Sequence, residues 1–284
     1  MEKLTIFGLP LNPLAALEEL AGASFCVSYA HRKKLKRQLD DAIRLVGADG
    51  MLLLDNGAFT LYGLGESTCS ESYVDGFEAW ANAILARCPQ AVAVIPDVIG
   101  GTEAENADMV RWSLLPRDRS MGVWHTNESL AYLIWLCETL GHVAIGSAGE
   151  HFDLGPTWHA RIGEALAAID AWEAEPGAGN VRPRIHMMRA QKMAHLYPFD
   201  SSDSTNVARN HGRYRGEPGH VGKFAARIDA KIQASAGAPA PHQVARPLLE
   251  HLEPGDAPLY ELATWFHDNY RIERAQGDLF AAAA

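Results

Sequence analysis

Short apolar runs rich in β-branched and small residues recur along the chain. They are "LTIFGL" (4–9), "FCVSYA" (25–30), "MLLLDNGAF" (51–59), "AVAVIPD" (91–97), "SMGVWHT" (120–126), "HVAIGS" (142–147), "RIHMM" (184–188) and "YPFDSSDST" (197–205). Several are apolar at successive positions, the pattern of strands buried on both faces of a parallel sheet. The intervening segments carry helical periodicity. "KLKRQLDDAIRLV" aligns Leu35, Leu39 and Ile43, and "ESYVDGFEAWANAILARC" aligns Tyr73, Phe77, Trp80 and Ile84. "NESLAYLIWLCETLG" predicts a helix capped by Asn127 and ended by Gly141, and "PTWHARIGEALAAIDAW" stripes Ile162, Leu166 and Ile169. Strand and helix alternate with short links, which predicts a parallel α/β architecture. Seven or eight such units in about 230 residues fit a (β/α)8 TIM-type barrel. A doubly wound sheet is the alternative, but no G-x-G-x-x-G or Walker loop accompanies it.

The pattern breaks after residue 233. "ASAGAPAPHQVARP" (234–247) reads as a linker, and 257–280 as a closing helix with Leu259, Leu262, Trp265 and Phe266 on its apolar side. The expected organisation is a catalytic barrel over 1–235, with 236–284 a linker and C-terminal helical extension packing on it.

Composition narrows the class. The 284 residues are 48% hydrophobic and 21% charged, with a formal net charge of -10, an ordinary globular balance. No apolar run approaches a membrane span, and the first residues lack the basic start and long apolar core of a signal peptide. The expectation is a soluble, cytoplasmic protein without a membrane partner. Cys26, Cys69, Cys88 and Cys137 are far apart, which argues for separate thiols rather than a zinc knuckle or a disulfide framework. The acidic balance argues weakly against a general nucleic-acid binder. Two local basic clusters, "HRKKLKRQL" (31–39) and "ARNHGRYRG" (208–216), stand out against it.

In a parallel barrel, reactive groups gather where strands end. The strand ends here carry Asp55-Asn56-Gly57-Ala58-Phe59, Asp97, His125-Thr126, Gly146 to Glu150, His186-Met187-Met188 and Asp200 to Thr205. Each residue has a plain structural reading. Asp55 and Asp97 could cap the turns that follow, Glu150 could be a solvated loop residue, the histidines could be hydrogen-bonded core residues, and Phe59 and Met187 could be core. Carboxylates at the ends of several successive buried strands nevertheless mark a candidate site.

These segments, in this order, resemble the queuine/archaeosine tRNA-guanine transglycosylase superfamily over roughly residues 50–215. "LLLDNGAFT" is similar to that family's D-S-G-[GA]-[FY]-Q segment and "VIPDVIGG" to its base-recognition aspartate segment. "VAIGSAGE" is similar to its G-G-L-A-V-G-E loop, "RIHMMRA" sits at its L-M-G strand, and "FDSSDSTNVARNHG" sits at its nucleophile segment. The family's C-x-C-x-x-C…H zinc site is missing, and little length remains for appended RNA-binding domains. The short, zinc-less form is most like the DpdA branch, which places 7-deazaguanines in DNA and occurs in phages and bacterial modification clusters.

The resemblance implies a barrel enzyme that exchanges guanine in DNA for a free 7-deazaguanine base such as preQ0, with no metal and no cofactor. It implies Asp203 as nucleophile and Asp55 as proton carrier. Asp97 would read the guanine edge, Phe59 and Met187 would sandwich the base, and Asn56, Gly57, Gly146, Ser147, Ala148, Gly149, Glu150 and His186 would line its pocket. Arg209 and Arg213, with the Arg32–Arg37 run, would hold phosphates. Asp203 is preferred to Asp200 because it lies at the strand's end and registers with the downstream Arg209-Asn210. tRNA as substrate, a metal-independent nucleosidase or base hydrolase, a metal-dependent hydrolase and a non-catalytic base-binding barrel are the alternatives.

Overall fold

A computed structural model describes residues 3–65, 70–211 and 219–233. Eight strands close into one parallel barrel in sequence order: β1 (Leu4–Gly8), β2 (Ser24–Ser28), β3 (Leu52–Asp55), β4 (Ala91–Val94), β5 (Ser120–His125), β6 (His142–Gly146), β7 (Arg184–Met187) and β8 (Ser201–Ser204). The eight apolar runs of the sequence each overlap one of these strands, seven containing it whole and the second missing only Ser24 of β2. The helices are α1 (Arg32–Leu45), α2 (Ala58–Gly63), α3 (Glu71–Leu85), α4 (Glu103–Trp112), α5 (Leu130–Thr139), α6 (Pro156–Glu173), α7 (Asn206–Asn210) and α8 (His220–Gln233). The (β/α)8 expectation holds. The expected linker and closing helix, Arg213 and Cys69 lie outside the described residues. Among the described residues, no helix is long and apolar enough to cross a membrane.

Strand alternation divides the apolar side chains into two cores. Ile6, Met51, Leu53, Val92, Val94, Met121, Val123 and Ala144 fill the barrel interior, joined by Leu4, Cys26 and Met188. Phe25, Leu52, Leu54, Trp124, Val143, Ile145, Ile185 and Met187 face the helices. Ile162, Leu166 and Ile169 of α6 are fully buried there, each stabilising the packed state by about 1.5–3 kcal/mol. By the same alternation, Asp55, His125, Gly146, His186 and Asp203 stand on the inward register of their strands.

Two details differ from the sequence reading. The cap of α5 is Ser129, whose hydroxyl accepts from the Tyr132 amide at 3.1 Å, not Asn127. The unpredicted α4 has a weak apolar stripe, but its start is marked by a reciprocal capping box between Thr102 and Glu105.

Candidate active site

The segment after β3 is a tight turn built around Asn56. Its side-chain amide donates to the Ile95 carbonyl at 2.9 Å and to Asp97 Oδ1 at 2.7 Å, while its Oδ1 accepts from the Ala58 amide at 2.7 Å. Tyr73 of α3 donates to the Asn56 carbonyl at 2.6 Å. Gly57 has φ +84°, and a Cβ there would lie 2.7 Å from the Ala30 methyl, so only glycine fits both the conformation and the space. The predicted base contact at Asn56 is therefore corrected. Its amide is committed inside the protein, and the residue orients Asp97.

Asp97, 8% exposed, follows β4. Its Oδ2 lies 3.0 Å from His125 Nε2. On the other side of the ring, Glu128 Oε1 is 3.5 Å from Nδ1. Glu128 also accepts from the His125 backbone amide at 2.7 Å and from Asn106 Nδ2 at 2.6 Å. Burial opposes a charge on His125, but the hydrogen bonds and charges of Asp97 and Glu128 override it and raise the pKa from 6.5 to about 10. The ring is an imidazolium between two buried carboxylates. Gly146 sits beside His125 in register, and a Cβ there would press within 3.4 Å of Cδ2. Arg161 of α6 donates to the Thr126 carbonyl at 2.8 Å and secures the turn from outside.

Asp55 ends β3 opposite Ser28 of β2. Burial, then the charges of Asp203 and Asp97, raise its pKa from 3.8 to about 6. The Ser28 hydroxyl and the Gly57 amide pull the other way. Burial outweighs both. Cys26 lies below, its thiol pushed well up by burial and by the charges of Asp55 and Asp203, and is a filler rather than a nucleophile.

Asp203 is on β8. Its Oδ1 accepts from the Arg189 amide at 3.1 Å and lies 3.3 Å from His186 Nε2. His186 is fully buried, and its Nδ1 is 2.9 Å from Ser201 Oγ. It lies beneath Asp203 with Nε2 making no hydrogen bond, and its full burial corrects its predicted place on the base. Asp200 is at the other end of the strand. Its carboxylate accepts from the Ile185 amide at 2.7 Å, and its charge bears on Lys3. The three-residue offset, about 10 Å along a strand, separates it from Asp55.

Phe59 lies on α2 and is 45% exposed. The Arg189 guanidinium lies 3.5 Å above its ring centroid. Met187 faces the helix layer and is fully buried, so it cannot line the mouth. Strand alternation puts Met188 inside instead. In the loop after β6, Ser147 accepts from Trp158 Nε1 at 2.9 Å, and the Ala148 amide donates to Thr126 Oγ1 at 2.9 Å. Glu150 has a side chain 83% exposed and is a solvated loop residue, and Gly149 gives that loop its left-handed φ of +58°. Of this predicted base-lining run, Gly146 alone borders the carboxylate cluster. Arg209 is exposed on α7, near enough for its charge to act on Arg189. Arg32 is held over the Tyr29 ring at 3.8 Å and donates to the Tyr29 carbonyl.

Glu128, Asn106, Ser28 and Arg189 complete the cluster and were not singled out from sequence. Glu128 had a signal, a carboxylate three residues after a strand-end histidine. Asn106 had none. Among the described residues, no three His, Cys, Asp or Glu side chains converge as a metal-ligand set.

No protein-family model matches the chain, and no curated protein matches it. Solved structures similar to it include two of tryptophan synthase from M. tuberculosis. They are 12% and 13% identical, with TM-scores of 0.45 and 0.44, over 82% of this chain and 93% of theirs. At that identity and superposition the likeness carries no information about chemistry.

Proposed function

We propose that the protein is a guanine transglycosylase that replaces guanine in DNA with a free 7-deazaguanine through a covalent aspartyl intermediate. One observation carries the reading. Two half-buried carboxylates face each other's charge at the strand ends of the barrel, Asp55 pushed up to about 6 and Asp203 held by the Arg189 amide. Such a pair divides into a proton carrier and a nucleophile. The motif order resembling the transglycosylase superfamily supplies the substrate class.

In the first step an Asp203 oxygen attacks C1′ of the target nucleotide. The C1′–N9 bond breaks, and Asp55 gives its proton to the leaving guanine. The 7-deazaguanine then enters, loses its N9 proton to the Asp55 carboxylate, and attacks C1′. The bond to Asp203 breaks, so the carboxylate is restored and the sugar keeps its configuration. Asp97 reads the N1–H and 2-amino edge of the base, held in its pose by Asn56 and His125, and Phe59 stacks on the ring. A base inside a duplex must leave the stack to reach this depth.

The test is incubation with guanine-labelled DNA and, separately, labelled tRNA, each with and without preQ0. Base-dependent loss of label from DNA without strand cleavage is expected. Loss from tRNA alone would move the substrate to RNA. Guanine release without added base would make the protein a hydrolase, and release from neither would overturn the reading.

A further inference from the structure

Arg189 is the one non-glycine residue among the described residues with a left-handed backbone, φ +63°. That conformation costs a non-glycine residue about 1–2 kcal/mol. Its backbone amide donates to Asp203 Oδ1, a contact that glycine would supply without strain. The presence of a long cation there needs a reason, and the side chain supplies one.

Arg189 follows β7, whereas Phe59 follows β3. In an eight-stranded barrel closed in sequence order, these strands are diametrically opposed. The arginine side chain therefore crosses the mouth. Its guanidinium carbon lies over the half-exposed Phe59 ring, 3.5 Å from the centroid, and 5.8 Å from the Phe152 ring centroid. A planar, delocalised cation at that height takes the space a stacked purine would take. Arg209 stands near enough for its charge to act on the same group. Two like charges beside a pocket that receives a nucleotide favour an anion between them.

We propose that Arg189 bars the mouth of the barrel by occupying the base slot over Phe59, and that on substrate binding its guanidinium leaves the slot for the phosphate beside the target nucleotide. This rests on the transglycosylase reading and adds to it a residue that opposes the free base while favouring the polynucleotide. A slot blocked in most molecules weakens apparent affinity for the base by the fraction open, whereas the phosphate contact strengthens affinity for DNA.

The two ligands should respond oppositely to one substitution. Arg189→Gly removes the guanidinium, keeps the amide on Asp203 and relaxes the backbone, so the variant should melt no lower than the parent protein. Calorimetry with preQ0 should show binding about tenfold tighter in Arg189→Gly. A guanine-containing single-stranded oligonucleotide should bind about fivefold more weakly, with the salt slope reduced by about one. Arg189→Lys, charged but not planar, should release the base slot and keep most of the DNA affinity. In the unliganded protein, the Arg189 Cδ protons should show a ring-current shift that vanishes when preQ0 is added. If Arg189→Gly binds preQ0 no tighter while the parent protein exchanges bases, the bar is overturned and the function stands. If neither protein binds preQ0, both are overturned.

Discussion

His125 and Asp97 form a buried ion pair, Nε2 to Oδ2 at 3.0 Å, and Glu128 closes on the ring from the other side. The histidine is held charged by two carboxylates, so removing one leaves a buried charge half compensated. Glu128→Gln should destabilise the protein by about 3 kcal/mol, as breaking buried pairs does. It should also lower the His125 pKa. Urea unfolding and imidazole NMR titration check both, and a change below about 1 kcal/mol would show that the pair is not coupled to stability.

Stability should fall as pH rises through two windows. The folded pKa of Asp55 is about 6 against 3.8, and that of His125 is about 10 against 6.5. In each window the native state binds more protons than the unfolded state. The contribution is complete below the unfolded pKa and lost through the folded one. Each group contributes a slope of at most about 1.4 kcal/mol per pH unit. Unfolding free energies across pH 4–10 should lose the lower slope in Asp55→Asn and the upper one in His125→Gln.

The charge of Asp203 is one reason Asp55 holds its proton, behind burial. Asp203→Asn should lower the Asp55 pKa while leaving it above 3.8, because the burial remains. Carbon-detected NMR of the carboxyl groups measures this without any substrate. An unmoved Asp55 would mean that the two groups do not share a site.

Asp203→Ala should reduce base exchange by at least about 10³-fold, since loss of a nucleophile removes the covalent route. Asp200→Asn should instead weaken the lower end of the barrel by about 1–3 kcal/mol through its contact to the Ile185 amide, with exchange preserved once folded. The opposite ranking in single-turnover assays would return the nucleophile to Asp200.

The barrel was legible because its strands are buried on both faces, which leaves unbroken apolar runs with little competing pattern. The carboxylate cluster was legible because its members sit at or just after strand ends, at Asp55, Asp97 and Asp203. Legibility failed where one residue of register decides the matter. Met187 and Met188 are indistinguishable in composition, yet alternation sends the first to the helices and the second inward. It also failed where a polar residue serves another residue. The buried Asn56 amide and His186 ring read as pocket lining because nothing local reveals that the first is bonded to Asp97 and the second is buried beneath Asp203. Asn106 approaches His125 from a separate helix, and no local pattern encodes such a contact.

β8 is also the strand that shuts the barrel, pairing with β1 so that Asp203 stands beside Ile6. The two edges come from opposite ends of the barrel's sequence, so this long-range pairing is a slow step in assembly. A ribosome-bound chain that has not yet released residue 203 has Asp55 and Asp97 but no opposing acid. The two acids are thus brought together only when the ring is complete.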